Sequence, residues 1–159
     1  MIRSKMSTLK ISVRKGARRL EVIECREVLK SYRIALGTNP IGDKEVEGDG
    51  KTPEGEFYIF TKNPTSKFTL SLGISYPSPE DAERGLEKGL ITNEEFAEIL
   101  SASQAVVKPP QKTALGGEIY IHGGGTDGDW TRGCIALAEN DIRELFDLID
   151  RGTRVEILP

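Results

Sequence analysis

Short runs rich in Val, Ile, Leu and Tyr fill most of the first 75 residues of this chain and constrain its fold more than any other feature. They lie at residues 9–13, 18–24, 27–36, 55–62 and 68–75, and glycines and prolines stand between them. Apolar residues often alternate within the runs, as in a strand that buries one face. A last run at 153–158 has the same character. The pattern predicts a β-rich fold.

Helical spacing of apolar residues appears only in the second half, at 78–90, 92–103 and 138–152. The expected N-caps are Ser78 (followed by Pro79), Thr92 or Asn93, and Asn140. The apolar stripe expected on the third helix comprises Ile142, Leu145, Phe146 and Ile149, with Gly152 as its stop. Neither an internal repeat nor a linker divides the chain. We expect one predominantly β domain of the α+β class over residues 1–159, with 1–8 as a flexible N-terminal extension.

Composition limits the partners that suit this chain. Charged residues make up 30% of it and its net charge is −3 with the two signs mixed, so we expect no nucleic-acid or anionic-membrane partner. The basic stretch 14–19 is interpreted as a solvated hairpin turn. No window is apolar enough to span a bilayer. The N-terminus lacks a signal-peptide apolar region, which taken literally predicts a cytoplasmic protein, unless an export signal has been trimmed from this sequence.

The residues best suited to chemistry concentrate in one stretch, EIYIHGGGTDGDWTRGCIAL at 118–137. It contains the single histidine, His122, and one of the two cysteines, Cys134. The stretch fits four descriptions: a catalytic pair, half of a metal site, a phosphate-binding loop, or a glycine-rich turn. The other cysteine, Cys25, separates two predicted strands and is interpreted as a small residue at a hairpin turn.

Two of these descriptions have weak support. A G-x-G-x-x-G pattern begins at Gly123, directly after a predicted strand, but a dinucleotide site needs a helix to start there, and the residues that follow include two acids. A zinc site would have to use the unusual set His122, Cys134, Asp127 and Asp129.

Residues 43–54 have acidic residues at some positions of an EF-hand calcium loop. Their flanks are strand-like rather than helical, so an acidic solvated loop is the better interpretation. We therefore predict no metal site in this chain.

Nucleophilic catalysis is the remaining functional description. A cysteine thiol is only a few per cent thiolate at neutral pH and needs a base beside it. His122 ends a predicted strand, and Cys134 follows Gly133, whose flexibility lets neighbouring N–H groups converge on one point, as an oxyanion hole requires. Arg132 is suited to stabilising a thiolate or binding a carboxylate. From these residues alone, catalysis and a structural role both remain open.

Several motifs together resemble a known family. The order I-H-G, a glycine-rich loop, T-R-G-C-I-A-L and then N-D-I-x-x-L-F is similar to the signature of the L,D-transpeptidase catalytic domain of the YkuD type. Residues 48–59, GDGKTPEGEFYI, resemble the family segment G-x-x-x-T-P-x-G-x-F/Y-x-I. The resemblance extends over residues 9–158. It implies a mixed, β-sandwich-like sheet with a few short helices.

The resemblance also implies roles for particular residues. Cys134 would be the nucleophile, His122 its general base, and the backbone carbonyl of Gly123 the group that orients the imidazole. The residues expected around the substrate or the oxyanion are Thr131, Arg132, Gly133, Trp130, Tyr120 and Tyr76. Neither a metal nor an organic cofactor is required. Many members have His where this chain has Arg132 and Arg where it has Ala136, and the second difference leaves the donor specificity open.

The implied reaction is acyl transfer on peptidoglycan stem peptides through a thioester on Cys134, which a carbapenem should also acylate. An L,D-carboxypeptidase or murein hydrolase on the same site and a non-catalytic cell-wall-binding module are the alternatives. A papain-like thiol hydrolase fits less well, because such enzymes place Cys before His in the chain. Since the substrate lies outside the cytoplasmic membrane, we expect the protein in the cell envelope or periplasm.

Overall fold

The computed structural model of the chain describes residues 9–159, and the expected N-terminal extension at 1–8 lies outside this range. The strands are β1 (Leu9–Arg14), β2 (Arg19–Glu24), β3 (Glu27–Arg33), β4 (Gly55–Ser66), β5 (Thr69–Ile74), β6 (Tyr120–His122), β7 (Ile135–Ala136) and β8 (Arg154–Leu158). The helices are α1 (Pro79–Glu87), α2 (Asn93–Ala105) and α3 (Glu139–Leu148). The predicted predominantly β fold with a few short helices is confirmed. Within the described range, no helix is long and apolar enough to cross a bilayer.

The strands form one curled, mixed sheet in the order β3-β2-β1-β8-β4-β5-β6-β7. Two pairs are parallel, β1 with β8 and β6 with β7, and the other neighbours are antiparallel. Residues that follow β3 then reach the far end of the sheet, where Ala35 pairs with Ala136 and Gly37 with Thr131. The curl therefore brings the first and last strands of the sheet order together.

The hydrophobic core lies inside this curl and under α3. Alternating residues of the strands point into it, such as Leu20 and Val22 of β2. From α3, Ile142 and Leu145 are fully buried against the sheet, as the apolar stripe predicted. This packing fixes β6 and β7, which lie in the half of the sheet that carries His122 and Cys134.

A second, smaller core joins α1, α2 and the loop before β6. Ile99 and Leu115 are fully buried in it. Both helices begin with the predicted caps: the Ser78 hydroxyl accepts a hydrogen bond from the Asp81 N–H, and the Thr92 hydroxyl does the same for Glu95. The segment between β5 and β6, here called the helical insert, thus has a small core of its own beside the sheet.

Three local predictions need correction. The N-cap of α3 is Ala138, without a side-chain hydrogen bond, so Asn140 lies inside the first turn; the chain leaves β7 and enters the helix immediately. The helix also ends at Leu148, before Gly152. In the turn after β1, Lys15 is 2% exposed rather than solvated, because its ammonium donates to the carbonyls of Gly42 and Thr52.

Candidate active site

His122 and Cys134 meet at the edge where β6 and β7 run side by side. The parallel register pairs Ile121 with Ile135, so Cys134, just before β7, lies beside the end of β6. Both side chains line a cleft of about 470 Å³ and a smaller neighbouring cavity of about 360 Å³. The fold therefore brings the predicted cysteine and histidine into one site, which two neighbouring cavities share.

His122 is held in one orientation. Its Nδ1 lies 2.5 Å from the carbonyl oxygen of Gly123. Because a carbonyl can only accept, Nδ1 carries the proton and Nε2 keeps its lone pair. The side chain is buried, and burial lowers its pKa, although the hydrogen bond to Gly123 and the negative charge of Glu139 act in the opposite direction. The imidazole is thus neutral at neutral pH and has a free basic nitrogen.

The thiol of Cys134 is engaged with the backbone of the segment before and within β6. Sγ accepts a hydrogen bond from the Tyr120 N–H at 3.3 Å and donates to the Glu118 carbonyl at 3.3 Å. Burial raises the pKa of the thiol to about 11, and the Glu118 carboxylate adds to this effect. Among the described residues, no hydrogen bond joins Sγ to the imidazole of His122. In this arrangement both groups are neutral.

The turn that precedes Cys134 is held by hydrogen bonds of the Thr131 hydroxyl and by close packing at Gly133. The Thr131 hydroxyl donates to the Cys134 carbonyl at 2.7 Å and accepts from the Gly133 N–H at 3.1 Å. Gly133 has a φ of +140°, and a Cβ there would lie 2.7 Å from the Lys51 carbonyl oxygen, so only glycine fits. The Gly133 N–H, expected to serve an oxyanion hole, is therefore engaged by Thr131.

Of the other residues expected to contact substrate, three line the cavities and one is buried in the core. Trp130 and Arg132 line the larger cleft, and the Trp130 Nε1 donates to the Gly125 carbonyl at 3.0 Å. Tyr120 lines the smaller cavity. The expectation for Tyr76 is wrong: it is fully buried and its hydroxyl donates to the Leu115 carbonyl at 2.7 Å. Tyr76 follows the buried end of β5, so it packs between the sheet and the helical insert.

The residues considered for metal or phosphate have other partners. Asp129 forms a bidentate ion pair with Arg18 and also accepts the Leu36 N–H, while Asp127 is exposed. In the 43–54 loop, Asp49 binds backbone N–H groups and Lys44. No group of three or more His, Cys, Asp and Glu within residues 9–159 is placed to hold a metal ion. The glycine-rich stretch after His122 starts no helix, since the next one begins at Glu139.

Several residues of the site were not predicted from the sequence. They are Phe68, Lys67, Lys44, Glu47 and Glu118, all of which line the larger cleft. The ring of Phe68 stacks on the imidazole of His122, with ring centroids 4.1 Å apart and an interplanar angle of 11°. Nothing near Phe68 in the sequence signals this. Only the antiparallel pairing of β5 with β6, which sets Ser71 opposite His122, brings it there.

Comparison with known proteins agrees with this fold. The family model of the L,D-transpeptidase catalytic domain, YkuD, matches residues 9–157. The chain is 34% identical to YafK of Escherichia coli K12, a candidate L,D-transpeptidase, over 64 residues that make up 38% of this chain and 26% of YafK. The matched segment thus spans about a quarter of that curated relative.

Solved structures share the fold at lower identity. The helical cell shape determining protein Pgp2 of Campylobacter jejuni superposes with a TM-score of 0.63 at 23% identity, covering 94% of this chain and 47% of Pgp2. The L,D-transpeptidase LdtMt1, solved in complex with imipenem, has a TM-score of 0.54 at 15% identity and covers 95% of this chain and 59% of LdtMt1. Since the family model matches nearly the whole described range, the chain belongs to the L,D-transpeptidase catalytic domain family of the YkuD type.

Proposed function

We propose that this domain transfers acyl groups between peptidoglycan stem peptides through a thioester on Cys134. The observation that carries the proposal is the geometry of His122. Its Nδ1 proton is committed to the Gly123 carbonyl, and its free Nε2 shares a two-sided cleft with the thiol. A backbone carbonyl here does the orienting work that a carboxylate performs in other nucleophile–histidine sites.

In the first half-reaction, Nε2 of His122 takes the thiol proton as Cys134 Sγ attacks the carbonyl carbon of the diaminoacyl residue that precedes a terminal D-amino acid. The tetrahedral intermediate collapses, the C–N bond breaks, and the leaving amine takes the proton from Nε2. In the second half, an amine of another stem peptide gives a proton to Nε2 and attacks the thioester. The C–S bond then breaks, and the sulfur recovers its proton from Nε2.

The neutral resting state fits proton transfer that occurs together with attack. A thiol with a pKa of about 11 is almost fully protonated at pH 7, so the nucleophile has to form when substrate occupies the cleft. This requires Sγ to leave the Tyr120 N–H and the Glu118 carbonyl and approach the imidazole. Burial keeps the pKa of His122 low, so its Nε2 is unprotonated and ready to accept the proton.

Developing negative charge on the substrate oxygen needs donors aimed at it. The Gly133 N–H already donates to Thr131, which leaves the Cys134 N–H as the backbone candidate and the guanidinium of Arg132, on the wall of the same cleft, as the charged one. Thr131 then acts by fixing the turn. Trp130 supplies an apolar wall, and Tyr120 lines the second cavity, where an acceptor amine would enter.

Two cavities meet at Cys134, and this favours an amine acceptor over water, since hydrolysis needs only one of them. The lack of a hydrogen bond between thiol and imidazole would also suit a non-catalytic cell-wall-binding module, which is the second candidate function. We propose the cell envelope or periplasm as the location, because the polymer that the family acts on lies there.

Acylation of Cys134 is the direct test. Incubation with a carbapenem should add one drug mass to the intact protein, as read by mass spectrometry, because the strained amide resembles the donor. Cys25→Ala should retain the adduct and Cys134→Ala should lose it. An adduct that survives Cys134→Ala, or no adduct in the wild type, rejects the proposed nucleophile.

Product masses separate the candidate functions. With tetrapeptide and pentapeptide muropeptides, the transferase predicts a cross-linked dimer and a released D-amino acid, and a hydrolase predicts a shortened stem without dimer. A binding module predicts retention of muropeptide by both wild type and Cys134→Ser with no product.

A further inference from the structure

The β4–β5 hairpin places an aromatic ring flat against the imidazole of His122. Phe68 stands just before β5, and its ring is nearly parallel to the imidazole at 4.1 Å between centroids. Trp130 closes a second side, with its ring centroid 5.7 Å from those of His122 and Phe68. The separation of Phe68 and His122 is shorter than the usual range of about 4.5–7 Å for aromatic pairs. The imidazole therefore has one face covered and one edge blocked.

We propose that Phe68 is a positioning residue for His122, which fixes the plane of the imidazole so that Nδ1 stays on the Gly123 carbonyl and Nε2 stays directed at the cleft. This rests on the proposed function only in taking His122 as the base. The hydrogen bond from Nδ1 restrains the ring at one atom. A single hydrogen bond leaves the ring free to tilt about that contact, and the stacked Phe68 removes this freedom.

The stack also excludes water from one face of the imidazole. Burial is the main cause of the lowered His122 pKa, and the Phe68 ring supplies part of that burial. The hairpin carries no other aromatic ring stacked on His122 within residues 9–159. Loss of the Phe68 ring should therefore admit water and raise the pKa of His122 toward its ordinary value.

Charged groups on the surrounding elements modify this effect but do not replace it. Glu139 of α3 lies close enough to raise the His122 pKa, while its carboxylate accepts the Gly124 N–H at 2.9 Å. The other titratable groups that line the cleft are Lys67 on the hairpin, Glu118 before β6, Cys134 before β7, Arg132 on the glycine-rich loop, and Lys44 and Glu47 on the 43–54 loop. Of these, only Lys67 contacts the Phe68 ring itself, with its Nζ 5.9 Å from the ring centroid.

Because His122 is the single histidine of the chain, its imidazole can be followed by nitrogen-15 NMR without assignment. In the wild type we expect the Nδ1–H tautomer and a depressed pKa. Phe68→Ala should mix the two tautomers and move the pKa up toward ~6.5, and Phe68→Leu should do so partly. Phe68→Tyr, which keeps the stacked ring, should retain the wild-type spectrum.

Phe60→Ala is the matched control, since Phe60 lies on the same hairpin and packs by Gly73, away from His122. It should leave the tautomer and the pKa unchanged. The proposal is overturned if Phe68→Ala and Phe68→Leu both keep the wild-type tautomer and pKa, or if Phe60→Ala alters them as much. This readout needs no turnover, so it is independent of whether the domain transfers acyl groups.

A kinetic readout links the positioning to chemistry. Phe68→Ala should slow the maximal rate of carbapenem acylation by about ten-fold, as expected for a misplaced base, and shift the acid limb of its pH profile upward. Phe68→Tyr should keep the wild-type maximal rate and the wild-type pH profile. A variant that changes only the half-saturation concentration would show that Phe68 contacts the ligand instead of positioning His122.

Discussion

At the scale of single residues, the site places a thiol with a raised pKa, Cys134, beside an unprotonated imidazole, His122. The Cys134 thiol is stabilised as the neutral form by burial, and the His122 imidazole is kept neutral by the same means. A thiolate–imidazolium ion pair would need the opposite changes, a lowered pKa for Cys134 and a raised pKa for His122. In the free protein the sulfur therefore keeps its proton, and the scarcity of thiolate protects it from oxidation.

Alkylation of Cys134 should report this directly. In a Cys25→Ser background, which leaves one thiol, the iodoacetamide rate of the free protein should be low at pH 7 and rise with pH up to about 11. The direction follows because only the thiolate reacts, and its fraction grows until the pH passes the raised pKa. A stopped-flow or mass-spectrometric rate profile measures it. A plateau already reached near pH 7 would mean a preformed thiolate and contradict the neutral resting state.

The sequence could identify part of this site. Cys134, His122 and Gly123 stand within one short segment whose order resembles a family signature, and the fold brings them together. Phe68 could not be identified, because its contact with His122 depends on the pairing of β5 with β6, whose paired residues lie 47 to 51 positions apart in the chain. The prediction that Tyr76 lines the cleft was wrong for a related reason. A tyrosine after a strand can line a cleft or lie in a core, and here the packing of the helical insert against the sheet buries it.

At the scale of elements, the glycine-rich loop between β6 and β7 is held by an ion pair from the opposite end of the sheet order. Asp129 accepts two hydrogen bonds from Arg18, at 3.1 and 2.7 Å, and one from the Leu36 N–H at 3.0 Å. Arg18 belongs to the turn between β1 and β2. Arg18 of the basic turn and Asp129, one of the acids considered as a zinc ligand, thus have a structural role: they hold the loop that carries Trp130.

Removal of this carboxylate should destabilise the fold. Asp129→Ala leaves the Leu36 N–H without its acceptor and Arg18 without its partner, and we expect a loss of about 1–3 kcal/mol in the free energy of unfolding, measured by urea denaturation at pH 7. Asp127→Ala, an exposed acid of the same loop, should change it by less than about 0.5 kcal/mol.

The difference in the free energy of unfolding between the wild type and Asp129→Ala should also depend on pH. The hydrogen bonds from Arg18 lower the pKa of Asp129, so its contribution is present above its unfolded pKa of ~3.9 and is lost as pH falls through the lower folded value. The free energies of unfolding of the wild type and Asp129→Ala should therefore converge at acidic pH. Equal losses for Asp129→Ala and Asp127→Ala, or a gap that persists at pH 2, would contradict the assigned role.

The elements themselves were largely predictable, and their ends were not. Alternating and helical patterns located all the long strands and the three helices. The chain after Arg33, predicted as one continuous strand to residue 36, instead leaves β2 and pairs across the sheet with the segment before α3. β4 runs on to Ser66 through Pro64, where an irregularity in the pairing with β5 removes the need for an N–H. Both strand ends therefore differ from the prediction because contacts with distant parts of the chain set them.

At the scale of the whole molecule, closure of the sheet packs the second segment that resembles the family, residues 48–59, against the turn that carries Cys134. This segment lies directly behind the turn 131–134: a Cβ on Gly133 would lie 2.7 Å from the Lys51 carbonyl oxygen, and the Thr52 hydroxyl accepts the Gly37 N–H at 3.1 Å. Gly37 in turn pairs with Thr131. Three backbone segments therefore pack in direct contact, and the position of Cys134 depends on all three.

Gly37 is the residue at which this contact is tightest. A Cβ there would stand 2.1 Å from the Gly50 carbonyl oxygen and 3.1 Å from the Gly133 Cα, both backbone atoms that cannot rotate away. Gly37→Ala should therefore cost about 2 kcal/mol or more and lower Tm by roughly 4 °C or more in calorimetry. In the folded fraction, carbapenem acylation of Cys134 should also slow, because the overlap pushes segments 48–59 and 131–134 apart.

Gly16→Ala provides the comparison, since a Cβ at that turn meets nothing nearer than the Pro159 carbonyl oxygen at 3.7 Å. Its Tm and acylation rate should match the wild type closely. If Gly37→Ala unfolded at the wild-type temperature, the closure could not be tight enough to position Cys134. If the variant lost stability but was acylated at the wild-type rate, the turn 131–134 would be positioned by β6 and Thr131 alone. The 48–59 segment would then act on stability without acting on the acylation of Cys134.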